Sequence, residues 1–505
     1  MNQAKESLQQ KKQDRTEATY AQVVKYTGAF GGVQGLTMLV SVLRNKLAAI
    51  LLGPAGMGLV VLYNSVTSFL ANISNLGLAT SGVRQISALY ENGTLEDLLD
   101  DVRLVRTWGV WTALAGTLLS VLLSPLISYL AFDGNFSYSS ALMLLSPVVG
   151  FTAIMGAEQA VLKGTRHLKR IVGISALGAL TTLLTTIPLY YFFGVNGIVG
   201  ALVFSSFILA AIHIYYSAQV YPWKISLFDY NVFYRGKNMV RLGVAFVLAA
   251  VAGSLAELMI PSLLFRMGSL EDVAFYRLGY SLIVTYAGMV FVAMEADYYP
   301  RLSAIGDDLE KCNRTVNQQL EICVMLMGPI LVFFMLAMPM VVYLLYSSAY
   351  LVLVDMAVCA AIYMLFKAAT LPVAYLALSK GDSLMFLSMD VVYYIFMVIA
   401  VVLGYQIGGL FGTGVALAIS GLFDFLLIHW VYSKRYGFRL ERNVLKFFLS
   451  QLVVLLLTLY CCLQSNILLK YAFGSVALLG SLLLSFGVLR RNTSILERIR
   501  KRFSR

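Results

Sequence analysis

Residues 43–65, LRNKLAAILLGPAGMGLVVLYNS, read as two apolar arms about the turn Gly53-Pro54-Ala55-Gly56, with two cations, Arg44 and Lys46, set into the first arm. Glycine and proline punctuate a turn there. An apolar stretch long enough to cross hydrocarbon lies on each side, so the segment is the tip of a transmembrane hairpin. The same pattern recurs outward along the whole chain: stretches of about 20 mostly apolar residues, each sufficient for about 30 Å of hydrocarbon, separated by charge or turn residues. Fourteen such spans result, centred near Thr37, Phe69, Leu119, Val149, Leu180, Ile208, Ala249, Ala287, Leu331, Ala361, Tyr394, Ala418, Leu456 and Val476. Composition agrees. The 505 residues are 59% hydrophobic and 13% charged, with a mean hydropathy of +0.78, against about 45–50% and about 25% in soluble domains. A soluble enzyme, a DNA-binding protein built on the +12 charge and a disulfide-stapled secreted domain are excluded. The five cysteines, Cys312, Cys323, Cys359, Cys461 and Cys462, show no ligand spacing and read as buried free thiols.

Basic residues test the span count, because one missed helix would reverse every later loop. With the N-terminus inside, 32 of the 38 Lys and Arg fall in inner segments and only Arg266, Arg277 and Lys470 in outer ones. The remaining three, Arg44, Lys46 and Lys367, lie inside spans. This asymmetry predicts an even number of helices with both termini cytoplasmic. The polar start, MNQAKESLQQKKQDRTEATY, has no signal-peptide pattern, as a cytoplasmic N-terminus requires. Basic inner loops facing an anionic leaflet account for the charge without nucleic acid.

The chain also matches itself. At an offset of 213, Tyr63 meets Tyr276, Ser68 meets Ser281, Leu89 meets Leu302 and Gly93 meets Gly306; further on, residues 212–217, IHIYYS, mirror residues 428–433, IHWVYS. Six helices per unit keep both halves in the same orientation, related by an axis along the membrane normal. The expected fold is therefore an all-α polytopic membrane protein of about 14 transmembrane helices, in two pseudo-symmetric six-helix lobes plus two C-terminal helices. Residues 1–22 form a cytoplasmic tail, 23–220 the N-lobe (helices 1–6), 221–241 a basic cytoplasmic linker, 242–433 the C-lobe (helices 7–12), 434–489 helices 13 and 14, and 490–505 a basic cytoplasmic tail. The stretch TLEDLLDDVRLVRT, starting at Thr94, puts Leu95, Leu98, Leu99, Val102 and Val105 on one face and reads as an interfacial amphipathic helix.

No phosphate loop, Ser/His/Asp pattern or metal-ligand spacing is present, and outer loops are too short for a catalytic domain, so neither a catalytic nor a metal site is expected. The informative residues are ionisable groups in or beside spans, where charge is expensive and faces a wet cavity or a partner. Arg44, Lys46, Arg266, Arg277, Lys367, Arg84 and Arg241 suit a phosphate-bearing substrate, arginine through its planar fork and lysine as a point charge. Snorkelling to the nearest interface is the alternative for each. Lys46 points about 200° away from Arg44 on a helix, which favours Arg44 as the residue facing a cleft. Asp390 and Asp424 head the candidates for ion coupling, with Glu158 and Glu257; each could instead close an internal ion pair. Asn64, Asn72 and Asn75 could bond sugar hydroxyls or pack helices together.

The stretch around Gly53-Pro54-Ala55-Gly56-Met57-Gly58 resembles the Wzx-type flippases of O-antigen and related polysaccharides, in the multidrug/oligosaccharidyl-lipid/polysaccharide exporter superfamily. The resemblance covers about 60 residues. It implies a two-lobe transporter that carries an undecaprenyl-pyrophosphate-linked oligosaccharide from the cytoplasmic to the outer leaflet of the bacterial inner membrane through a cationic cavity. Arg44 matches the basic position such flippases carry on the first helix. The family works without a cofactor beyond a coupling H+ or Na+, beside polysaccharide polymerases. A multidrug cation antiporter of the same superfamily is the alternative function, though its cavity should favour acids over bases.

Overall fold

The computed structural model describes residues 2–492 apart from 307 and 465, with side chains described from Val33 onward except at scattered positions, mainly within 230–249 and 286–297. Among the described residues every element is helical: α1 (Asn2–Ser74), α2 (Leu78–Asn92), α3 (Leu95–Ala131), α4 (Ser139–Gly164), α5 (Leu168–Phe193), α6 (Gly197–Ala218), α7 (Tyr230–Met267), α8 (Leu270–Ser303), α9 (Leu309–Leu345), α10 (Val354–Ser379), α11 (Ser383–Tyr436), α12 (Arg442–Cys462) and α13 (Ile467–Asn492). Ten stretches of these described residues are long and apolar enough to cross a membrane. Three of them bend in the middle and hold two spans each: α1 at Gly53, the α5–α6 run at Gly194, and α11 at Gly408 and Gly409. Counting these as pairs and adding α8 restores the fourteen expected spans. Of the basic tail expected at 490–505, the residues beyond 492 lie outside the described residues.

The internal repeat is visible in element lengths. α3 and α9 have 37 residues each and begin at Leu95 and Leu309; α4 and α10 have 26 each and begin at Ser139 and Val354. The bend at Gly194 (φ 55°) recurs at Gly409 (φ 57°). Glycine enters that left-handed region without steric cost, so the same break in an apolar run is encoded twice.

Residues 95–105 are not a separate interfacial helix. They form the first turns of α3, capped as expected by Thr94, whose hydroxyl accepts the Asp97 N–H at 3.2 Å. Leu98, Val102 and Val105 are buried with Leu78 and Ile86 of α2 and Ala157, Ala160 and Val161 of α4. Leu98, Val102 and Val105 of the stripe thus meet protein, while Leu95 and Leu99 stay exposed. The short amphipathic helix is α2, with Leu78 and Ile86 buried and Arg84 exposed.

Contacts group the chain into two units. The first comprises Met1–Leu51, Leu70–Ser124 and Ser140–Val247; the second comprises Leu52–Phe69, Pro125–Ser139 and Leu248–Arg505. The expected linker, 221–241, falls wholly within the first unit, and the helix pair α12–α13 within the second.

In the first unit α3 crosses α4 closely at Gly109, where a side-chain Cβ would stand 2.5 Å from that of Ala157. This approach brings Arg106 of α3 against Glu158 of α4. The guanidinium Nε lies 3.1 Å from both carboxylate oxygens, and the two side chains are 1% and 2% exposed. Arg106 also donates to the Tyr221 and Pro222 carbonyls at 3.2 and 2.8 Å and to Ser217 at 2.9 Å, while the Trp223 indole donates to Glu158 at 2.9 Å. Farther along, the Ser226 N–H donates to Thr107 and Arg235 pairs with Asp101 at 2.9 Å. The segment after α6 is thus strapped to α3 by buried, charge-assisted bonds, the stronger class.

In the second unit α10 is the central helix, buried along nearly all its length. α12 and α13 join through Gln451, which donates to the Ser481 carbonyl and to Ser485, and Ser485 in turn donates to the Met325 carbonyl of α9.

Candidate functional site

α10 carries one charge in a run of Ala, Val, Ile, Met, Leu and aromatic residues after its first turn: Lys367. A helix surrounded by protein gives an ammonium nowhere to snorkel, so its partner must come from a neighbour. The second half of α11 supplies it. Gly414 and Gly421 let α11 approach α10 so closely that a Cβ at Gly414 would stand 2.4 Å from the Met356 carbonyl oxygen, and one at Gly421 3.0 Å from the Tyr363 ring. Asp424, one turn beyond Gly421, then reaches the Lys367 ammonium at 3.3 Å. The carboxylate side chain is 4% exposed and the lysine 25%.

The first half of α11 closes the other side. Lys367 lies 5.0 Å from the centre of the Tyr393 ring, whose hydroxyl donates to the Tyr363 hydroxyl at 3.1 Å. Asp390, one turn before Tyr393 and Tyr394 on the same helix, makes no ion pair among the described residues. Lys367 therefore has one bonded carboxylate, Asp424, while a second acid, Asp390, precedes by one turn the Tyr393 ring that the lysine lies over. Such a group can exchange partners when a proton or a cation neutralises one acid.

A small cavity of about 80 Å³ adjoins these groups, lined among others by Glu257 of α7, Tyr276, Arg277 and Tyr280 of α8, and Tyr394. Arg277 and Glu257 pair across it at 3.2 Å. A buried lysine–acid pair, an arginine–acid pair and a row of tyrosines offer both charge signs and hydroxyl donors on one side of a lobe.

The remaining sequence candidates are distributed elsewhere. Arg44 lies half-buried in the first unit, where its Nε and Nη2 donate to the Asn45 side chain at 3.4 and 3.0 Å, and no carboxylate lies within 4 Å among the described residues. Lys46 is half-buried, with no ion pair or hydrogen bond from its side chain among the described residues. Arg266, at the end of α7, pairs with Asp133 at 3.5 Å and donates to the Leu130 carbonyl. Arg84 sits exposed on α2, not at the end of a span, and the Arg241 side chain lies outside the described residues. Glu158, in the first unit, is closed into the Arg106 pair and the Trp223 bond. Asn64 belongs to the second unit and bonds its own helix at the Val60 carbonyl, whereas Asn72 and Asn75 belong to the first, where Asn75 Oδ1 is buried without a partner.

The tyrosines around Lys367 were missed from sequence. A signal was there: Tyr363 precedes Lys367 by four residues, and Tyr393 and Tyr394 follow Asp390 by three and four, the spacings that share a helix face.

A family model described as polysaccharide biosynthesis protein matches residues 47–355. The chain belongs to that family. The match takes in α8 with Arg277 and ends at residue 355, in the first turn of α10, so it covers the span of Glu257 but not Lys367. No curated protein gives a significant match. Among solved structures, the lipid II flippase MurJ in an inward closed conformation is 14% identical with a TM-score of 0.71, covering 92% of this chain and 99% of that one. An inward-facing multidrug resistance MATE family transporter of the MOP superfamily is 15% identical with a TM-score of 0.61, over 79% and 95%. An outward-facing form of a multidrug resistance MATE family transporter is 16% identical with a TM-score of 0.55, over 81% and 94%. This member of the polysaccharide biosynthesis family thus has the fold of MOP-superfamily transporters and flippases.

Proposed function

We propose that the protein is a flippase that carries an undecaprenyl-pyrophosphate-linked oligosaccharide, an O-antigen or related repeat unit, from the cytoplasmic to the periplasmic leaflet of the bacterial inner membrane by alternating access, with both termini cytoplasmic. The observation that carries this reading is Arg44. It is a span cation with no carboxylate partner among the described residues, and with guanidinium N–H groups left over after Asn45. An uncompensated fork of that kind suits a pyrophosphate. Lys46 can add charge at the same end of the helix. Lys367, Asp424 and Asp390 are assigned the coupling step: H+ or Na+ on one carboxylate releases the lysine to the other, and Glu257 with Arg277 stands beside them. No other cofactor is invoked, and a polysaccharide polymerase would act on the delivered substrate.

The cation-antiporter alternative has no comparable support, since membership of a polysaccharide biosynthesis family and an uncompensated arginine both point away from cationic cargo. The deciding experiment is mass spectrometry of lipid-linked oligosaccharides in cells depleted of this protein, complemented by the wild type, Arg44→Ala or Lys367→Ala. An undecaprenyl-pyrophosphate oligosaccharide should accumulate on the inner leaflet and be cleared by the wild type alone. An unchanged lipid pool on depletion would reject the reading.

A further inference from the structure

The first unit contains a cavity of about 290 Å³ walled by α1, α4, α5 and α6. Six polar side chains from these four helices converge on it: Thr37 and Ser41, Gln159, Ser175 and Thr182, and His213. Polar groups are costly within spans and normally bond one another across helices. These do not. Thr37 donates to the Val33 carbonyl at 2.8 Å, Ser41 to Thr37 at 2.8 Å, Ser175 to Ile171 at 3.0 Å and Thr182 to Gly178 at 2.7 Å, each on its own helix. A hydroxyl has one proton, so once it is given to the backbone only acceptor lone pairs remain. His213 follows the same rule. Its Nδ1 lies 2.8 Å from the Leu209 carbonyl, which can only accept, so Nδ1 carries the proton and Nε2 is left as an acceptor in the neutral ring. Gln159 makes no hydrogen bond among the described residues, which leaves an amide with two donors and an acceptor. Its neighbour Glu158 points to Arg106, so the cavity side of α4 is neutral.

Among the described residues the lining holds no Lys, Arg, Asp or Glu, while Ile174 and Leu209 provide apolar wall. A phosphate would find no cation here and an ammonium no counter-charge. At about 290 Å³ the cavity falls just under the roughly 300–1,000 Å³ range of small-molecule pockets. A neutral ring that donates several hydroxyls along its edge and presents C–H on its faces satisfies all of these features. We propose that this cavity is a sugar subsite of the first unit, taking one monosaccharide ring, with Gln159 bonding adjacent hydroxyls and the Ser, Thr and His acceptors receiving their protons. The assignment rests on the reading that the substrate carries sugars.

Saturation-transfer-difference NMR on the full chain in lipid nanodiscs tests it, with D-glucose, D-galactose, N-acetyl-D-glucosamine and L-rhamnose as free probes. Saturation should pass to at least one probe. Gln159→Leu should reduce that signal about fivefold and the near-isosteric Thr182→Val about twofold, as loss of one hydrogen bond each implies, with melting temperatures unchanged. Gln406→Ala, at an exposed position of the other unit, should leave it intact. No signal from any probe, or equal signals in the wild type and both variants, overturns the subsite. Translocation measured on the same protein separates the two readings. Transport of a lipid-linked oligosaccharide without a sugar signal removes the subsite and leaves the flippase standing; a sugar signal without such transport upholds the subsite and removes the flippase.

Discussion

The Lys367 ammonium lies 3.3 Å from the Asp424 carboxylate, joining the one charge in the interior of α10 to the second half of α11. Neither group could be tolerated there alone, because a buried charge without its partner keeps its desolvation cost and loses its compensation.

Single neutralisation should therefore be worse than double. Lys367→Met or Asp424→Asn should each destabilise by about 3 kcal/mol, the low end for a buried pair because the lysine is a quarter exposed. The double variant Lys367→Met/Asp424→Leu should recover much of that loss. Denaturant unfolding in detergent provides the cycle, and additive losses would show that the pair is not coupled.

Transport should separate the two acids. Asp424→Asn should abolish it by freeing Lys367, whereas Asp390→Asn should keep substrate movement but change its dependence on the H+ or Na+ gradient. Uptake into vesicles with imposed gradients distinguishes them, and an Asp390→Asn profile identical to wild type would remove that residue from coupling.

Arg44 should be needed for transport but not for folding. Arg44→Ala should lower translocation at least about tenfold, the loss of one charge-assisted interaction, and Arg44→Lys should restore only part, since a point charge replaces a fork. Equal activity in Ala and Lys variants would mean that the charge is not used.

The Arg106 strap predicts a proteolytic phenotype. Arg106→Lys keeps the charge but cannot hold Glu158, Ser217 and two carbonyls together, so the segment around Lys224 should become cleavable by trypsin much faster than in the wild type. Stability should drop by about 3–5 kcal/mol in Glu158→Leu, which strands the arginine. Unchanged cleavage at Lys224 would contradict the strap.

Asp382 should make stability sensitive to acid. The Tyr436 hydroxyl and the Arg435 guanidinium hold its carboxyl below the ordinary value of 3.8, and it also caps α11 at the Met385 N–H. A carboxylate with a depressed folded-state pKa stabilises above its unfolded value and loses that contribution as pH falls through the folded one. The melting-temperature gap between wild type and Asp382→Asn should be constant at neutral pH and shrink only below pH 3.8. A gap that closed already near pH 6 would point to another group.

Much of this architecture is local and could be read directly. Apolar runs define spans, the Gly53 turn marks the bend in α1, and the stretch read as helical from Thr94 onward is the start of α3, which the Thr94 hydroxyl caps at the Asp97 N–H. The repeat was also legible, because both copies keep the same helix lengths and even the same bond: His213 and His429 each hold the backbone carbonyl four residues back at 2.8 Å.

Partnership was not legible. Arg106 was counted with the basic residues of an inner loop and Glu158 with the coupling acids, yet they are one buried pair. Lys367, Asp390 and Asp424 were each singled out, but nothing local joined them to one another or to Tyr363 and Tyr393. Residues 95–105 have the stripe of an interfacial helix, and only the presence of α2 and α4 against it turns Leu98, Val102 and Val105 into core, with Leu95 and Leu99 left exposed. The physical reason is common to all three. Hydropathy and turn chemistry act along the chain and set where helices cross the bilayer, whereas the state of a charge or an apolar stripe depends on which helix arrives beside it. That is decided by close crossings such as Gly109 on Ala157 and Gly414 on Met356, between residues far apart in sequence.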